Sequence, residues 1–201
     1  MWDVVPFADI SPLDDPIEIE QSKLTIQGHK KHINVVRYSP NDKMIASCSQ
    51  DKTVKLWNAS DLKPITVLQA HRKNVWDVTF SSHSRMLATC SGDKSVKVWQ
   101  IDDAKKPKCV ATLEGHSEQV SRVLWINFGQ QLLSVSLDGT LKVWNLMKQA
   151  CVFTRKQHEG KVWCIDVNET QALRLLSGGD DSSLKMCYDA TKEIEKKQNE
   201  E

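Results

Sequence analysis

The chain has 201 residues, of which 40% are hydrophobic and 26% are charged, and its formal net charge is +1. It is long enough to bury a core of its own, and no apolar run approaches the roughly 20 residues that a membrane span needs. The acidic N-terminal residues MWDVVPFADISPLDD lack the basic start and apolar centre of a signal peptide, so we expect a soluble intracellular protein with no membrane partner.

Acidic and basic residues are unevenly distributed along the chain. Residues 1–22 contain acids and no base, and we interpret them as a Pro-containing N-terminal linker. Residues 23–188 contain 24 basic and 15 acidic side chains. This surplus suits contact with an RNA-containing assembly, but it equally suits an ordinary solvated surface, and both interpretations remain open.

The next segment, KLTIQ (23–27), has the composition of a short outer strand and precedes the first of four similar units. The units begin at His29, His71, His116 and His158, which are 42, 45 and 42 residues apart. An aspartate follows each histidine after 22 or 23 residues, and a tryptophan follows six residues later in three units. A self-similar period of this length indicates a repeat architecture.

Each unit is predicted to contain β-strands separated by short turns. In the first unit the strands are expected at 33–39, 44–49, 53–58 and 64–69, on the basis of β-branched and apolar runs between turn residues. The outer strands of the next two units are expected at 108–114 and 151–156. The units therefore span 29–69, 71–114, 116–156 and 158–189, and the charged residues 190–201 are expected to form a tail.

This spacing of His, Asp and Trp resembles the WD40 repeat family. The resemblance implies an all-β fold of β-propeller blades in a repeat region spanning 23–189. Because WD40 rings usually have about seven blades, four repeats predict a partial or open propeller. The strand at 23–27 would be an outer strand that completes the last blade of a closed ring.

The resemblance also implies a hydrogen-bonded tetrad of His, Ser or Thr, Asp and Trp in each blade. The residues at these positions are His29, Ser47, Asp51 and Trp57; His71, Thr89, Asp93 and Trp99; His116, Ser134, Asp138 and Trp144; and His158, Ser177 and Asp181. In the fourth repeat Cys187 replaces the tryptophan, so that tetrad lacks its indole donor and is expected to be the weakest.

A Ser, His and Asp together also suggest a catalytic triad. An enzyme needs one such set in a cleft, whereas this chain carries four, and no phosphate-binding loop or nucleophile-elbow motif is present. The six cysteines include no CxxC pair of the kind that binds zinc. We therefore expect structural thiols, no metal, no cofactor, no small-molecule substrate and no catalytic residues.

In WD40 propellers, the residues three and five after the repeat His and the residue before the Asp tend to lie on the top face. The resemblance assigns to partner contacts His32, Asn34, Gln50, Asn74, Trp76, Gln119, Ser121, Leu137, Lys161, Trp163 and Asp180. Trp76 and Trp163 are candidate hot spots, because tryptophan is enriched among them. The alternative is that both side chains pack within the core at the start of a strand.

The segments SPNDKMIASCSQDKTVKLW (39–57) and HRKNVWDVTFSSHSRMLATCSGDKSVKVW (71–99), together with 129–146 and 158–163, resemble the later repeats of the transducin beta-like protein 3 family. That family implies a nucleolar scaffold in pre-rRNA processing. Its partners would be other proteins of the small-subunit processome and, indirectly, the U3 snoRNP and pre-rRNA. The alternative function is an adaptor or substrate receptor in ubiquitin ligation or signalling.

Overall fold

The computed structural model describes residues 24–168 and 173–188, and these residues form fifteen β-strands. The linker 1–22 and the tail 190–201 lie outside the described residues. The described part of the chain contains no helix that is both long enough and apolar enough to cross a membrane.

The strands form four antiparallel sheets in chain order, three of four strands and a last one of three. The first sheet contains β1 (Ile33–Tyr38), β2 (Met44–Ser49), β3 (Val54–Asn58) and β4 (Pro64–Leu68). The second contains β5 (Val75–Phe80), β6 (Met86–Ser91), β7 (Ser95–Gln100) and β8 (Lys108–Glu114). The third contains β9 (Val120–Ile126), β10 (Gln131–Ser136), β11 (Thr140–Asn145) and β12 (Ala150–Lys156). The fourth contains β13 (Val162–Asn168), β14 (Arg174–Gly179) and β15 (Leu184–Tyr188).

The predicted all-β blade architecture is confirmed. The four strands of the first unit lie within one residue of the predicted bounds at each end. The turns between strands are short, which is why composition alone could place them.

The second strand of each of the first three sheets is buried along almost its whole length. These strands are apolar on both faces because each sheet packs against a neighbour. Ala46 and Leu56 of the first sheet, for example, share one core cluster with Val78 and Leu87 of the second. The same packing recurs between the second and third sheets and between the third and fourth.

The turn between the second and third strands has the same backbone shape in every sheet. The residue after each aspartate has a positive φ, with values of 74° at Lys52, 74° at Lys94, 80° at Gly139 and 58° at Ser182. This left-handed residue reverses the chain directly behind the aspartate. The four aspartates are thereby brought to equivalent positions at one end of their sheets.

The array is open. The innermost strands β1, β5, β9 and β13 contact one another in that order, and among the described residues the last sheet makes no comparable set of contacts with the first. Residues 24–27, the described part of the outer strand predicted at 23–27, belong to none of the four sheets, and that strand stays a prediction for a closed ring. A strand forms only where its backbone joins the hydrogen-bond ladder of a neighbouring edge, and composition alone does not supply that edge.

Candidate functional site

The first repeat places its four tetrad residues in one hydrogen-bonded chain. The Trp57 indole N–H donates to the Ser47 hydroxyl at 2.8 Å. That hydroxyl lies 2.7 Å from His29 Nε2, and His29 Nδ1 lies 3.0 Å from Asp51 Oδ2. Because the indole can only donate, the chain runs from Trp57 through Ser47 and His29 to the carboxylate.

The second and third repeats contain the same chain. The indoles of Trp99 and Trp144 donate to hydroxyls at 3.1 and 2.8 Å. The histidine–hydroxyl distances are 2.8 Å in both repeats. The histidine–carboxylate distances are 3.0 Å in both. The structure therefore brings together every member that the sequence assigned to the tetrads of these repeats.

A fifth residue of each set was not predicted. The residue two after each aspartate is Ser or Thr, and its hydroxyl donates to the carboxylate oxygen Oδ1. These donors are Thr53 at 2.5 Å, Ser95 at 2.7 Å, Thr140 at 2.6 Å and Ser183 at 2.6 Å. The signal was present in the sequence as an aspartate followed after one residue by Ser or Thr in all four repeats.

These hydrogen bonds set the charge state of the aspartates. Partial burial acts to raise the pKa of Asp93, but hydrogen bonds from His71 and Ser95 outweigh it and hold the pKa well below its ordinary value. The pKa values of Asp51 and Asp138 are lowered in the same way. Burial, opposed by Asp51, lowers the pKa of His29. The tetrad aspartates are therefore ionised at neutral pH.

In the fourth repeat a glutamine takes the place of the missing indole. Gln157 Nε2 donates to the Ser177 hydroxyl at 2.9 Å, and that hydroxyl lies 2.9 Å from His158 Nε2. His158 Nδ1 lies 2.8 Å from Asp181 Oδ1. Because Cys187 stands in place of the tryptophan, no indole is present, but the Ser177 hydroxyl still accepts a hydrogen bond.

The tetrads are hydrogen-bonded chains of largely buried groups. Their hydroxyl groups are buried, with 3% exposure at Ser47 and 0% at Thr89 and Ser134. Each hydroxyl is already occupied by its histidine and by an indole or amide donor. A nucleophile needs access to a substrate as well as a base, and these side chains lack the access.

A second set of predicted residues lines a cavity of about 470 Å³. The cavity wall is formed by Asn34, Trp76, Gln119, Ser121, Arg122, Leu137 and Trp163. All of these except Arg122 were predicted as top-face residues. The cavity lies across the ends of the innermost strands of all four sheets.

The two tryptophans of this cavity differ in exposure. Trp76 is half-buried, packs partly against the second core cluster and donates from Nε1 to Gln119 Oε1 at 3.0 Å. Trp163 is 47% exposed and donates from Nε1 to Asp180 Oδ1 at 3.0 Å. The ammonium group of Lys161 lies 5.7 Å from the centre of the Trp163 ring. Trp163 is thus an oriented aromatic surface, while Trp76 belongs partly to the core.

Asn34 and Ser121 instead link neighbouring sheets. Asn34 Nδ2 donates to the Val75 carbonyl at 2.6 Å, and Ser121 Oγ donates to the Val162 carbonyl at 2.7 Å. Ser121 is buried, with 8% exposure. The hydroxyl of Ser121 is thus engaged by the next innermost strand although Ser121 lines the cavity, and its contact with a partner stays a prediction.

Five predicted top-face residues lie outside the cavity wall: His32, Gln50, Asn74, Lys161 and Asp180. They are nevertheless placed in a regular way. The backbone amide of Gln50 donates to the His32 carbonyl at 3.0 Å, and the backbone amide of Asp180 donates to the Lys161 carbonyl at 2.8 Å. The same bond joins Leu137 to Gln119 at 2.9 Å, so these loops form one end of the array.

A comparison of the chain with protein-family models identifies the same four repeats that the geometry shows. The model of the WD domain, G-beta repeat, matches residues 20–58, 62–100, 107–145 and 149–187. The chain belongs to the WD40 repeat family. Proteins of this family are generally non-enzymatic scaffolds that mediate protein–protein interaction.

Several characterised WD40 proteins are similar to this chain. Nuclear distribution protein PAC1-2 of Uncinocarpus reesii is 34% identical over 81% of the chain and 37% of its own length. A chromatin assembly factor 1 subunit of Gallus gallus is 27% identical over 67% of the chain and 19% of its own length. Protein SPA1-related 3 of Arabidopsis thaliana is 36% identical over 38% of the chain and 9% of its own length. The chain therefore spans well under half the length of these relatives.

One charged pair, which includes the cavity-lining Arg122, was missed in the sequence. Arg122 Nη1 lies 3.6 Å from Asp77 Oδ1, across the adjacent innermost strands β9 and β5. Asp77 is buried, and it accepts hydrogen bonds from the amides of Val78 at 2.9 Å and Val123 at 3.2 Å. Burial raises the pKa of Asp77, and the Arg122 guanidinium opposes this shift. The sequence does contain a signal for this pair, because Asp77 and Arg122 carry opposite charges at the same repeat position, six residues after His71 and His116.

The remaining titratable groups suggest no second chemistry. Among the residues that the structure describes, no cluster of His, Cys, Asp or Glu could hold a metal ion. Cys48 and Cys90 are buried free thiols, and burial raises the pKa of Cys48 to about 12. A thiol with so high a pKa is unreactive at neutral pH.

Proposed function

We propose that this WD40 array is a protein-interaction scaffold that binds a partner segment over the top-face cavity. The observation that carries the proposal is the cavity of about 470 Å³ with the exposed Trp163 at its rim. Concave sites with apolar walls and a few polar groups are the usual binding sites of proteins. Tryptophan is enriched among the few residues that dominate the binding energy of an interface.

The wall of the cavity suggests the chemistry of the partner. Leu137 and Trp163 supply apolar surface, and Gln119 supplies an amide group at the same opening. Arg122 supplies one positive charge, although Asp77 already neutralises part of it. We therefore expect an apolar anchor flanked by polar or acidic groups in the partner segment.

The assembly that we propose is the small-subunit processome, with other processome proteins as direct partners. The support is the resemblance of residues 39–57, 71–99, 129–146 and 158–163 to the later repeats of the transducin beta-like protein 3 family. The protein would then act in the nucleolus, and its contacts with the U3 snoRNP and pre-rRNA would be indirect. The WD40 relatives above bear other names, and an adaptor in ubiquitin ligation or signalling is the alternative assembly.

A photo-crosslinking experiment tests the surface and the assembly together. A photoreactive phenylalanine analogue at Leu137, which lines the cavity, should crosslink to a processome protein in cells. The matched control places the same analogue at Met147, which is 93% exposed in the β11–β12 hairpin and outside the cavity wall. The control should give no such product. Crosslinks from Leu137 to components of a ubiquitin ligase would contradict the processome and support the alternative assembly. Equal crosslinking from Leu137 and Met147 would contradict the proposal that the cavity is the binding surface.

A further inference from the structure

Two loop positions beside each tetrad are structurally equivalent from repeat to repeat. The backbone amide of the residue after each repeat histidine donates to the tetrad aspartate, at 3.0 Å from Lys30, 2.9 Å from Arg72, 2.9 Å from Ser117 and 3.3 Å from Glu159. The carbonyl of the following residue accepts a hydrogen bond from a serine hydroxyl in the first three repeats, at Lys31, Lys73 and Glu118. The charges at these positions can therefore be compared directly.

These charges differ between the two halves of the array. The first two repeats carry four exposed cations at the two positions: Lys30, Lys31, Arg72 and Lys73. The last two repeats carry no cation there and two exposed acids, Glu118 and Glu159. The residue after each tetrad aspartate follows the same pattern: Lys52 and Lys94, then Gly139 and Ser182. Every repeat has its own tetrad aspartate, so the tetrads do not cancel this difference.

Five of the cations form a surface that we call the cationic rim: Lys30, Lys31, Lys52, Arg72 and Lys73. Lys52 connects the two repeats, because its carbonyl accepts a hydrogen bond from the His71 amide at 3.3 Å. Among the described residues none of the five forms an ion pair. Clustered like charges without counter-ions attract a ligand of opposite charge. The rim thus favours an anionic ligand.

The rim lies at the same end of the array as the cavity. Asn34 and Trp76 of the cavity wall follow Lys31 and Lys73 of the rim by three residues. A ligand that occupies the cavity therefore passes beside the rim on the side of the first two repeats.

The last two repeats do not extend this positive surface. Glu118 lies 3.4 Å from Lys94, Asp180 lies 3.8 Å from Lys161, and the exposed Glu159 has no ion pair among the described residues. A uniformly charged chain such as RNA would gain nothing from this half. The rim also lacks the aromatic side chains on which single-stranded RNA stacks its bases. A peptide, in contrast, can carry its charge at one end only.

We propose that the segment bound by the top face is an acidic peptide whose carboxylates lie to one side of its apolar anchor. This inference rests on the proposed function, because the anchor is the group that occupies the cavity beside Trp163. The Asp and Glu side chains lie over the cationic rim, and the part of the peptide beyond the anchor lies over the last two repeats. The difference in charge between the two halves fixes the direction in which the peptide crosses the array.

The test selects peptides from a displayed random library on the full chain. Selected peptides should carry Asp or Glu on one side of an apolar residue. Their affinity should decrease as the salt concentration rises, because salt screens exposed charges. Peptides without an excess of acidic residues, or with acidic residues equally on both sides, would overturn the proposal.

A charge reversal then locates the acidic part on the rim. The double variant Lys31→Glu, Lys73→Glu should weaken binding of a selected peptide at least about tenfold, because attraction becomes repulsion at two positions. The third repeat already carries Glu118 at this position, so the fold accommodates the change. The pair Lys30→Glu, Arg72→Glu, which copies Glu159, replaces any variant that circular dichroism shows to be unfolded. The control is Lys105→Glu, Lys106→Glu in the β7–β8 connection at the opposite end, which should leave the affinity unchanged.

Trp163→Ala separates this inference from the proposed function. Peptides that require Trp163 but bind the double variant as tightly as the native chain would leave the proposed function intact and overturn the acidic peptide. Peptides that bind Trp163→Ala as tightly as the native chain would contradict the proposed function, and this inference with it, as would a library that yields no binding peptide. Polyuridine RNA that loses its binding in the double variant, while peptide binding is unchanged, would assign the rim to RNA and also overturn the proposal.

Discussion

The side-chain amide of Gln157 donates a 2.9 Å hydrogen bond to the Ser177 hydroxyl, at the place where an indole donates in the other three repeats. The same amide lies 3.3 Å from the Cys187 sulfur, the atom that stands where the indole would begin. Gln157 is 3% exposed. The buried Ser177–His158 pair thus has a hydrogen-bond donor although this repeat has no tryptophan.

Replacing this glutamine should destabilise the fourth repeat. Gln157→Ala removes the donor to Ser177 and is expected to lower the free energy of unfolding by about 1–3 kcal/mol, the cost of an unsatisfied buried polar group. The double variant Gln157→Gly with Cys187→Trp should recover part of the loss, because an indole can then donate to Ser177. Urea denaturation measures both values. A Gln157→Ala variant as stable as the native chain would show that this hydrogen bond contributes nothing.

The aspartates of different tetrads should differ in their contribution to stability. Asp93→Ala is expected to cost about 1–3 kcal/mol, because His71 and Ser95 lose a buried acceptor. Asp181→Ala should cost less, because the Asp181 side chain is 19% exposed against 11% for Asp93 and water can replace it more readily. Thermal melting of both variants gives the comparison. Equal losses would contradict this ranking.

The stability of the fold should decrease as the pH falls. A carboxyl with a lowered pKa in the folded state stabilises the fold above its unfolded pKa of about 3.9, and this contribution is lost as pH falls through the folded pKa. Burial also lowers the pKa of His29 from its ordinary value of 6.5, so the unfolded chain binds that proton more readily and stability begins to fall below this pH. The urea midpoint of the native chain should decrease from pH 7 to pH 3. In the Asp93→Asn variant the midpoint should depend less strongly on pH below pH 4. An Asp93→Asn profile parallel to the native one would exclude this carboxyl as a source of the acid sensitivity.

The Asp77–Arg122 pair predicts a pH dependence of the opposite sign. Arg122→Ala leaves the buried Asp77 carboxylate without its counter-ion and should destabilise the fold by about 1–3 kcal/mol at neutral pH. The pKa of Asp77 is already raised by burial and should rise further in this variant. Because protonation then relieves the cost, the difference between variant and native chain should shrink as the pH falls through the pKa of Asp77. A Lys142→Ala variant, which changes a cation in β11, is the matched control and should show a pH-independent difference. A pH-independent difference between Arg122→Ala and the native chain would contradict an ion pair between Asp77 and Arg122.

The sequence could predict the blades because the repeat places the same residue types at equivalent positions in each unit. His29, Asp51 and Trp57 recur with nearly constant spacing, and the apolar runs between them match the buried second and third strands. Gln157 was missed because it does not recur: the residue before the histidine is Gly28, Ala70 and Gly115 in the other repeats.

Other features depend on what lies next to a segment in space. The segment 24–27 has the composition of a strand but joins none of the described sheets, which composition cannot reveal. Ser121 occupies a position typical of the top face, yet its hydroxyl reaches the Val162 carbonyl on the next sheet. The Asp77–Arg122 pair spans two repeats, so a search within single repeats could not find it.

Binding of a protein partner through the top face of the array is tested most directly by Trp163→Ala. Trp163 is 47% exposed and its indole donates to the exposed Asp180, so truncation should leave the melting temperature nearly unchanged. Recovery of partner proteins with the tagged variant from cells should nevertheless fall strongly, while Met147→Ala retains it. Trp76→Ala should reduce recovery as well, with some loss of stability, because Trp76 packs partly against the core. A folded Trp163→Ala protein that recovers the same partners in the same amounts as the native chain would contradict the claim.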